Sequence, residues 1–218
     1  MKTLVAISSK SPNPHLLTTI QSLFNNQFKG VCGSDFKIVV VDSCSDDFSE
    51  YIKVKQQYPE VEIMLTNNIN YEFGAYKQAY TLYNDYDIYM CIQDNMIFNN
   101  DQVDLSQISN DRVCVMASCR NGFVSHLIIK ERAIEMLRDM KTVTYENIIN
   151  NDFKICVSNL IIASNNTIED MFNTLTILPS NKRESCIYER LLSLYFISRN
   201  IKMKCISDKL TKINQQRS

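Results

Sequence analysis

"FKIVVVDSCSDDFSE", residues 36–50, is the stretch whose reading decides the architecture. Ile38, Val39, Val40 and Val41 run without a polar break. Such a run suits a strand of a parallel sheet covered by helices on both faces, whereas a half-solvated antiparallel strand would alternate. The run stops at Asp42, and Ser43, Ser45, Asp46 and Asp47 follow at once. A buried strand therefore delivers a cluster of oxygen-bearing side chains at its carboxyl end. A Ser/Asp cluster of this kind also serves as a helix cap.

The neighbouring segments repeat the pattern. Residues 2–8 read as a short apolar strand that ends in Ser8 and Ser9. Asn13 then offers a helix cap with Pro14 at the first helical position, and Leu16, Leu17, Ile20, Leu23 and Phe24 share one helical face. Residues 61–65 form a third strand, and residues 71–83 a helix carrying Tyr76, Ala79, Tyr80 and Tyr83. A fourth strand, residues 87–92, runs into Gln93-Asp94-Asn95 before Met96-Ile97-Phe98 turns apolar again. The alternation predicts an α/β fold, a mostly parallel central sheet flanked by helices in a single domain. Ligands of such sheets sit beyond the carboxyl ends of the strands, so Ser8, Ser9, Asp42 and Asp94 are expected to converge there. An unpaired carboxylate in apolar surroundings is costly, so Asp94 marks either a turn at a strand end or a site where a cation meets the acid.

The later part is less regular. Residues 113–117, 123–129 and 155–163 read as strands and residues 131–140 as a helix. A short amphipathic helix carries Ile168, Met171, Phe172 and Leu175. Residues 185–198 form a helix apolar almost all round, hence buried, although it carries Glu189 and Arg190. A single domain over residues 1–208 is expected, with halves at 1–100 and 101–208, followed by a polar, frayed tail over 209–218.

The totals narrow the function classes. The 218 residues carry a formal net charge of -1, which gives no electrostatic reason to expect a nucleic-acid partner. No stretch is long and apolar enough to span a bilayer, and the first residues lack the apolar run of a signal peptide. A soluble, cytoplasmic protein is expected. Eight cysteines include no C-x-x-C pair, and Cys44, Cys91, Cys114, Cys156 and Cys205 lie in or beside apolar runs. They read as small hydrophobes in a reducing compartment rather than as bridges or zinc ligands. The four glycines, Gly30, Gly33, Gly74 and Gly122, lack the spacing of a dinucleotide fingerprint or a P-loop. A bound phosphate would have to be held by side chains or a metal ion.

Four segments, "LVAISSKSPNPHLLTTIQSLFNN" (4–26), "FKIVVVDSCSDDFSE" (36–50), "NNINYEFGAYKQAY" (67–80) and "YDIYMCIQDNMIF" (86–98), together resemble the nucleotide-sugar half of GT-A-type, Rossmann-like glycosyltransferases, and most of all the family 2 enzymes. The resemblance implies that Asp42 holds the nucleobase or ribose of a donor, with Ser8 and Ser9 nearby. It implies that Asp94, flanked by Gln93 and Asn95, binds Mn²⁺ or Mg²⁺ and the donor diphosphate. The family's metal motif has two acids where this chain has one, which implies weaker metal affinity or a metal brought in by the donor. Gly74 and Lys77 match the family's helix near the donor, and Lys77 reads equally as a solvated helix-face lysine.

On the acceptor side, "ERLLSLYFISRNIKM" (189–203) is similar to the family helix whose acidic pair supplies the catalytic base. Glu189 aligns with the first acid, while Arg190 stands in place of the second. Glu189 is the expected base, Glu184 its reserve, and a buried Glu-Arg ion pair the alternative. His126 falls where the family lines its acceptor pocket, and it also reads as a core histidine. The resemblance implies a metal-assisted, inverting glycosyltransferase that moves a sugar from a UDP-sugar to a glycan or glycoprotein acceptor. Two other readings stay open: a degenerate nucleotide- or glycan-binding module, alone or as one module of a longer polypeptide, and a sugar-phosphate nucleotidyltransferase. The latter normally needs a glycine-rich loop after the first strand, where this chain has Ser8-Ser9-Lys10-Ser11-Pro12.

Overall fold

A computed structural model of the chain describes residues 1–10, 14–25, 28–29, 36–99, 103–108, 111, 113–116, 127–139 and 154–213. His126 lies outside them. The first half runs β1 (Thr3–Ser9), α1 (His15–Asn25), β2 (Phe28–Lys29), β3 (Phe36–Ser43), α2 (Ser49–Gln57), β4 (Glu62–Thr66), α3 (Tyr71–Leu82), β5 (Ile88–Gln93) and β6 (Met96–Phe98). The second half runs β7 (Val103–Asp104), β8 (Val113–Met116), α4 (Leu127–Asp139), β9 (Ile161–Ser164), α5 (Asn165–Thr174), α6 (Lys182–Ser198), β10 (Lys202–Cys205) and β11 (Leu210–Lys212).

Among the described residues a seven-stranded sheet has the order β10-β8-β9-β5-β1-β3-β4. Strand β1 lies between β3 and β5, parallel to both, and β9 is antiparallel to β5 and β8. The period-two alternation of side chains divides each central strand between two cores. Leu4, Ala6, Val39 and Val41 pack with α3 and α6, while Val5, Ile7, Ile38 and Val40 pack with α1 and α2. Val39, Val40 and Val41 are wholly buried, and burial of each contributes about 1.5–3 kcal/mol. The unbroken apolar run is thus what allows a sheet to be covered on both sides. No helix among the described residues is long and apolar enough to cross a membrane.

The structure departs from the expectations in five places. Helix α2 escaped notice because among its apolar side chains only Tyr51 and Val54 are buried, too few to set a periodicity. Residues 127–129 are the first turn of α4 rather than a strand, the β-branched pair Ile128-Ile129 having suggested extended chain. The strand expected over 155–163 begins only at Ile161, because a 3₁₀ turn, Val157–Asn159, precedes it with Ser158 at φ 61 and Asn159 at φ 53. Residues 210–212 are not frayed: β11 pairs antiparallel with β6, Leu210 opposite Phe98 and Lys212 opposite Met96, while residues 214–218 lie outside the described residues. Cys91, Cys114 and Cys156 are buried and free, but Cys44 is exposed and Cys205 is disulfide-bonded, against the expectation of a wholly reduced set.

Candidate functional site

The register of the parallel strands assembles the site. Ser9 at the end of β1 stands opposite Asp42 of β3, and Ser8 opposite Gln93 of β5. A cavity of about 580 Å³ opens at this carboxyl edge. Ser8, Ser43, Cys44, Gln93, Asp94 and Asn95 line it from the strand ends, and Asn68, Tyr71 and Glu72 from the β4–α3 connection. Lys10, Lys182 of α6 and Lys212 of β11 complete its wall.

Asp94 sits in the turn between β5 and β6. Ser9 Oγ donates to its Oδ2 at 2.9 Å, its N–H donates to the Ser8 carbonyl at 3.2 Å, and Thr19 Oγ1 donates to its carbonyl at 2.9 Å. Burial raises its carboxyl pKa to about 6, against the lowering effect of the Ser9 hydroxyl. The acid is thus held at the cavity in a state that ionises close to neutrality.

Asp42 is 2% exposed and absent from the lining. Tyr51 Oη donates to its Oδ1 at 2.7 Å and the Ser45 N–H to its Oδ2 at 3.2 Å. Its carboxylate therefore fixes the turn that presents Ser43 and Cys44, the latter in left-handed backbone at φ 58. The Ser9 hydroxyl, which donates to Asp94, also interacts with the Tyr51 hydroxyl that donates to Asp42, so one buried serine lies between the two expected acids.

Gly74 acts through its neighbour. A Cβ there would lie 2.3 Å from Asn68 Oδ1 and 2.5 Å from Asn70 Cβ. The missing side chain lets Asn68 lie against α3, where its Nδ2 donates to Ser43 Oγ and to the Tyr71 carbonyl, both at 2.8 Å. Asn68 so ties the ends of β3 and β4 to the start of α3. Lys77, on the same helix, does not line the cavity.

Glu72 was not anticipated. It accepts from Gln93 Nε2 at 2.5 Å and from Ser185 Oγ at 2.9 Å, and Lys182 Nζ is 4.0 Å away. A signal for it existed: α3 starts just beyond the carboxyl end of β4, so its first turn must face the ligand edge of the sheet. Lys212 was also missed, because its short polar strand has no pattern of its own.

Glu189 lies on α6 behind the lining. The Ser158 N–H donates to its Oε1 at 2.7 Å, and Lys212 Nζ donates to Ser158 Oγ, so one residue links the acid to the cavity wall. Arg190 Nη1 is 3.9 Å from its Oε2 but donates at 2.9 Å to the Cys186 carbonyl. Burial raises the Glu189 pKa, opposed by the Ser158 amide and by Arg190, Lys212 and Lys182. Glu184 is placed elsewhere. Asn181 caps the helix, its Oδ1 accepting the Glu184 N–H at 3.0 Å, while Glu184 Oε2 accepts from the Ser180 N–H and hydroxyl at 2.8 Å each. These bonds hold its carboxyl below the usual range.

Among the described residues no group of three or more His, Cys, Asp or Glu side chains is arranged to hold a metal ion. Oxygen donors are nevertheless present. Asn95 Oδ1, in the same turn as Asp94, is buried with no hydrogen-bond partner among the described residues, an orphaned acceptor of the kind a hard cation satisfies. One carboxylate and one amide oxygen fit a Mg²⁺ or Mn²⁺ ion that takes its remaining ligands from phosphate and water.

No family model and no curated protein matches the chain. Solved structures do. The S. aureus TarS fragment 1–349 is 15% identical, with a TM-score of 0.51, over 96% of this chain and 59% of that one. The mannosyltransferase PcManGT from Pyrobaculum calidifontis, in complex with GDP-Man and Mn²⁺, is 11% identical with a TM-score of 0.56, over 99% and 58%. GalNAc-T7 with UDP, GalNAc and Mn²⁺ is 9% identical with a TM-score of 0.66, over 99% and 44%. The likeness shows the GT-A fold. The chain spans less than two thirds of the length of each of these proteins.

Proposed function

We propose that the chain transfers a sugar from a nucleoside diphosphate sugar, UDP-linked, to a hydroxyl of a glycan or glycoprotein acceptor. One observation carries this reading: three parallel strands of a GT-A sheet end at a single polar cavity, with the Gln93-Asp94-Asn95 turn of β5 on its wall. The fold's solved neighbours include complexes with UDP, with GDP-Man and with Mn²⁺. Uridine is chosen because TarS and GalNAc-T7 were both solved with UDP, which makes GDP the control.

In this reading Ser43, Cys44 and Asn68 form the nucleoside side of the cavity, on the turn that Asp42 holds in shape. Ser8, Asp94 and Asn95 face the diphosphate. Asp94 and Asn95 would hold a divalent ion, which when bound would supply positive charge to the departing diphosphate. Glu189 is the base: it takes the proton of the acceptor hydroxyl, whose oxygen bonds to the anomeric carbon as the bond from that carbon to the phosphate oxygen breaks. The electron pair leaves with UDP, and displacement from the opposite face inverts the carbon. Its raised pKa suits a base that works near neutrality.

A second assignment of the base has its own support, since Glu72 lines the cavity directly while Glu189 does not. The pH profiles of Glu189→Gln and Glu72→Gln separate them.

The reaction is tested by following thermal stability against UDP, GDP and Mn²⁺, then UDP release from a panel of UDP-sugars with sugar acceptors. Stabilisation by UDP with Mn²⁺ and release from one donor are expected. Stabilisation without release from any donor and acceptor would assign a binding module, a reading that the single acid of the metal motif and Arg190 favour. No stabilisation by any nucleotide would overturn both.

A further inference from the structure

The cavity has more cations than a metal-centred site needs. Lys10, Lys182 and Lys212 line it, against Asp94 and Glu72. Both oxygens of Glu72 already accept hydrogen bonds, from Gln93 and Ser185. A diphosphate carries several negative charges and many acceptor oxygens. The wall of this cavity is matched to such an anion before any ion is added.

Lys212 is the best placed of the three. Its Nζ donates to Ser158 Oγ, and among the described residues no carboxylate comes within ion-pair distance of it. An ammonium has three donors, and among the described residues only Ser158 accepts from this one at the cavity wall. The side chain is open to cavity solvent, yet the protein packed around it pulls its pKa below the ordinary value, opposed by Glu189, Glu72 and Asp94. A cation in that setting gains from an anionic partner.

Its position is also fixed. Ile213 N–H donates to the Asn95 carbonyl at 3.0 Å, and Asn95 Nδ2 donates back to the Ile213 carbonyl at 3.0 Å. Strand β11 is thereby clamped to the turn that carries Asp94, with Lys212 opposite Met96. Little conformational freedom of the strand is left to lose when a ligand arrives.

We propose that Lys212, assisted by Lys182, binds the donor diphosphate directly and supplies part of the charge that the missing second acid of the metal motif would have recruited through an ion. This inference rests on the nucleotide-sugar reading above. Its consequence is that UDP binding survives removal of the metal, because a fixed ammonium remains.

The test is calorimetric titration of UDP and of uridine, in EDTA and in Mn²⁺, into wild type, Lys212→Met and Lys212→Arg, with folding checked by circular dichroism. Wild type in EDTA is expected to bind UDP more tightly than uridine. Lys212→Met should lose about 10- to 100-fold of UDP affinity, the worth of charge-assisted hydrogen bonds. Its uridine affinity should be unchanged, and Lys212→Arg should keep most of the UDP affinity. Should Lys212→Met fail to fold, Lys212→Gln takes its place with the same expectation. UDP affinity in EDTA that is equal in wild type and the uncharged variants overturns this inference and leaves the proposed function standing, as does wild-type UDP binding seen only with Mn²⁺. No UDP binding in either condition overturns both.

Discussion

Ser9 donates its hydroxyl to Oδ2 of Asp94 at 2.9 Å, joining the ends of two adjacent parallel strands at the floor of the cavity. Even with this bond, burial keeps the Asp94 pKa at about 6, above the ordinary 3.8. The folded chain therefore binds this proton more tightly than the unfolded chain. The stability so gained is full below the unfolded value and is lost as pH rises through about 6. Asp94→Asn should remove that loss and stabilise the apo protein at pH 7.5 by on the order of 2 kcal/mol. The same variant should abolish any Mn²⁺-dependent gain in UDP affinity. Denaturant melts at pH 5 and 7.5, with Mn²⁺ titrations, read both effects.

The choice of base is decided by pH. Burial raises the Glu189 pKa above its ordinary 4.5, so the carboxylate form needed for proton removal is lost as pH falls through that raised value. Wild-type kcat/KM should fall on the acid side accordingly. Glu189→Gln should lower kcat by about 10²- to 10⁴-fold and flatten that limb. If Glu72→Gln does this instead and Glu189→Gln only lowers stability, the base is Glu72.

Gly74→Ala should damage the cavity from outside it. The new methyl would meet Asn68 Oδ1 at 2.3 Å and Asn70 Cβ at 2.5 Å, and neither is the free end of a long side chain. Overpacking of this kind costs about 1–3 kcal/mol, partly offset by about 1 kcal/mol of better helix propensity. A net loss of stability on chemical unfolding is expected, together with weaker UDP binding as Asn68 shifts.

Tyr51→Phe removes the donor to Oδ1 of the buried Asp42 at 2.7 Å. A carboxylate oxygen left without a donor in that setting costs about 1–3 kcal/mol. The midpoint of urea unfolding should fall while the m-value stays constant. Recovery of stability in the double variant Tyr51→Phe, Asp42→Asn would confirm that the lost donor is the cause.

The sheet was legible because its central strands are buried on both faces, which leaves an unbroken apolar run in each of them. The convergence of Ser8, Ser9, Asp42 and Asp94 followed from strand polarity alone. The division of labour between the two acids did not: Asp42 is tied to Tyr51 of α2, and that helix shows too few apolar residues to be read in advance. Glu184 resembled a reserve base in sequence, yet its bonds to Ser180 and Asn181 are those of a helix start. The features that went unread, Glu72 and Lys212, reach the cavity through tertiary placement of a helix turn and a three-residue strand. Local pattern carries no trace of such placement.

The clamp between Asn95 and Ile213 sets an order of events during protein synthesis. Strands β1, β3 and β5, which pair with one another, lie within one hundred residues of sequence and leave the ribosome before β11. The ammonium of Lys212 arrives more than a hundred residues later. A nascent chain can thus pair the ends of β1, β3 and β5 while still lacking one wall of its cavity, and its ligand can reward only a polypeptide that has been translated through β11.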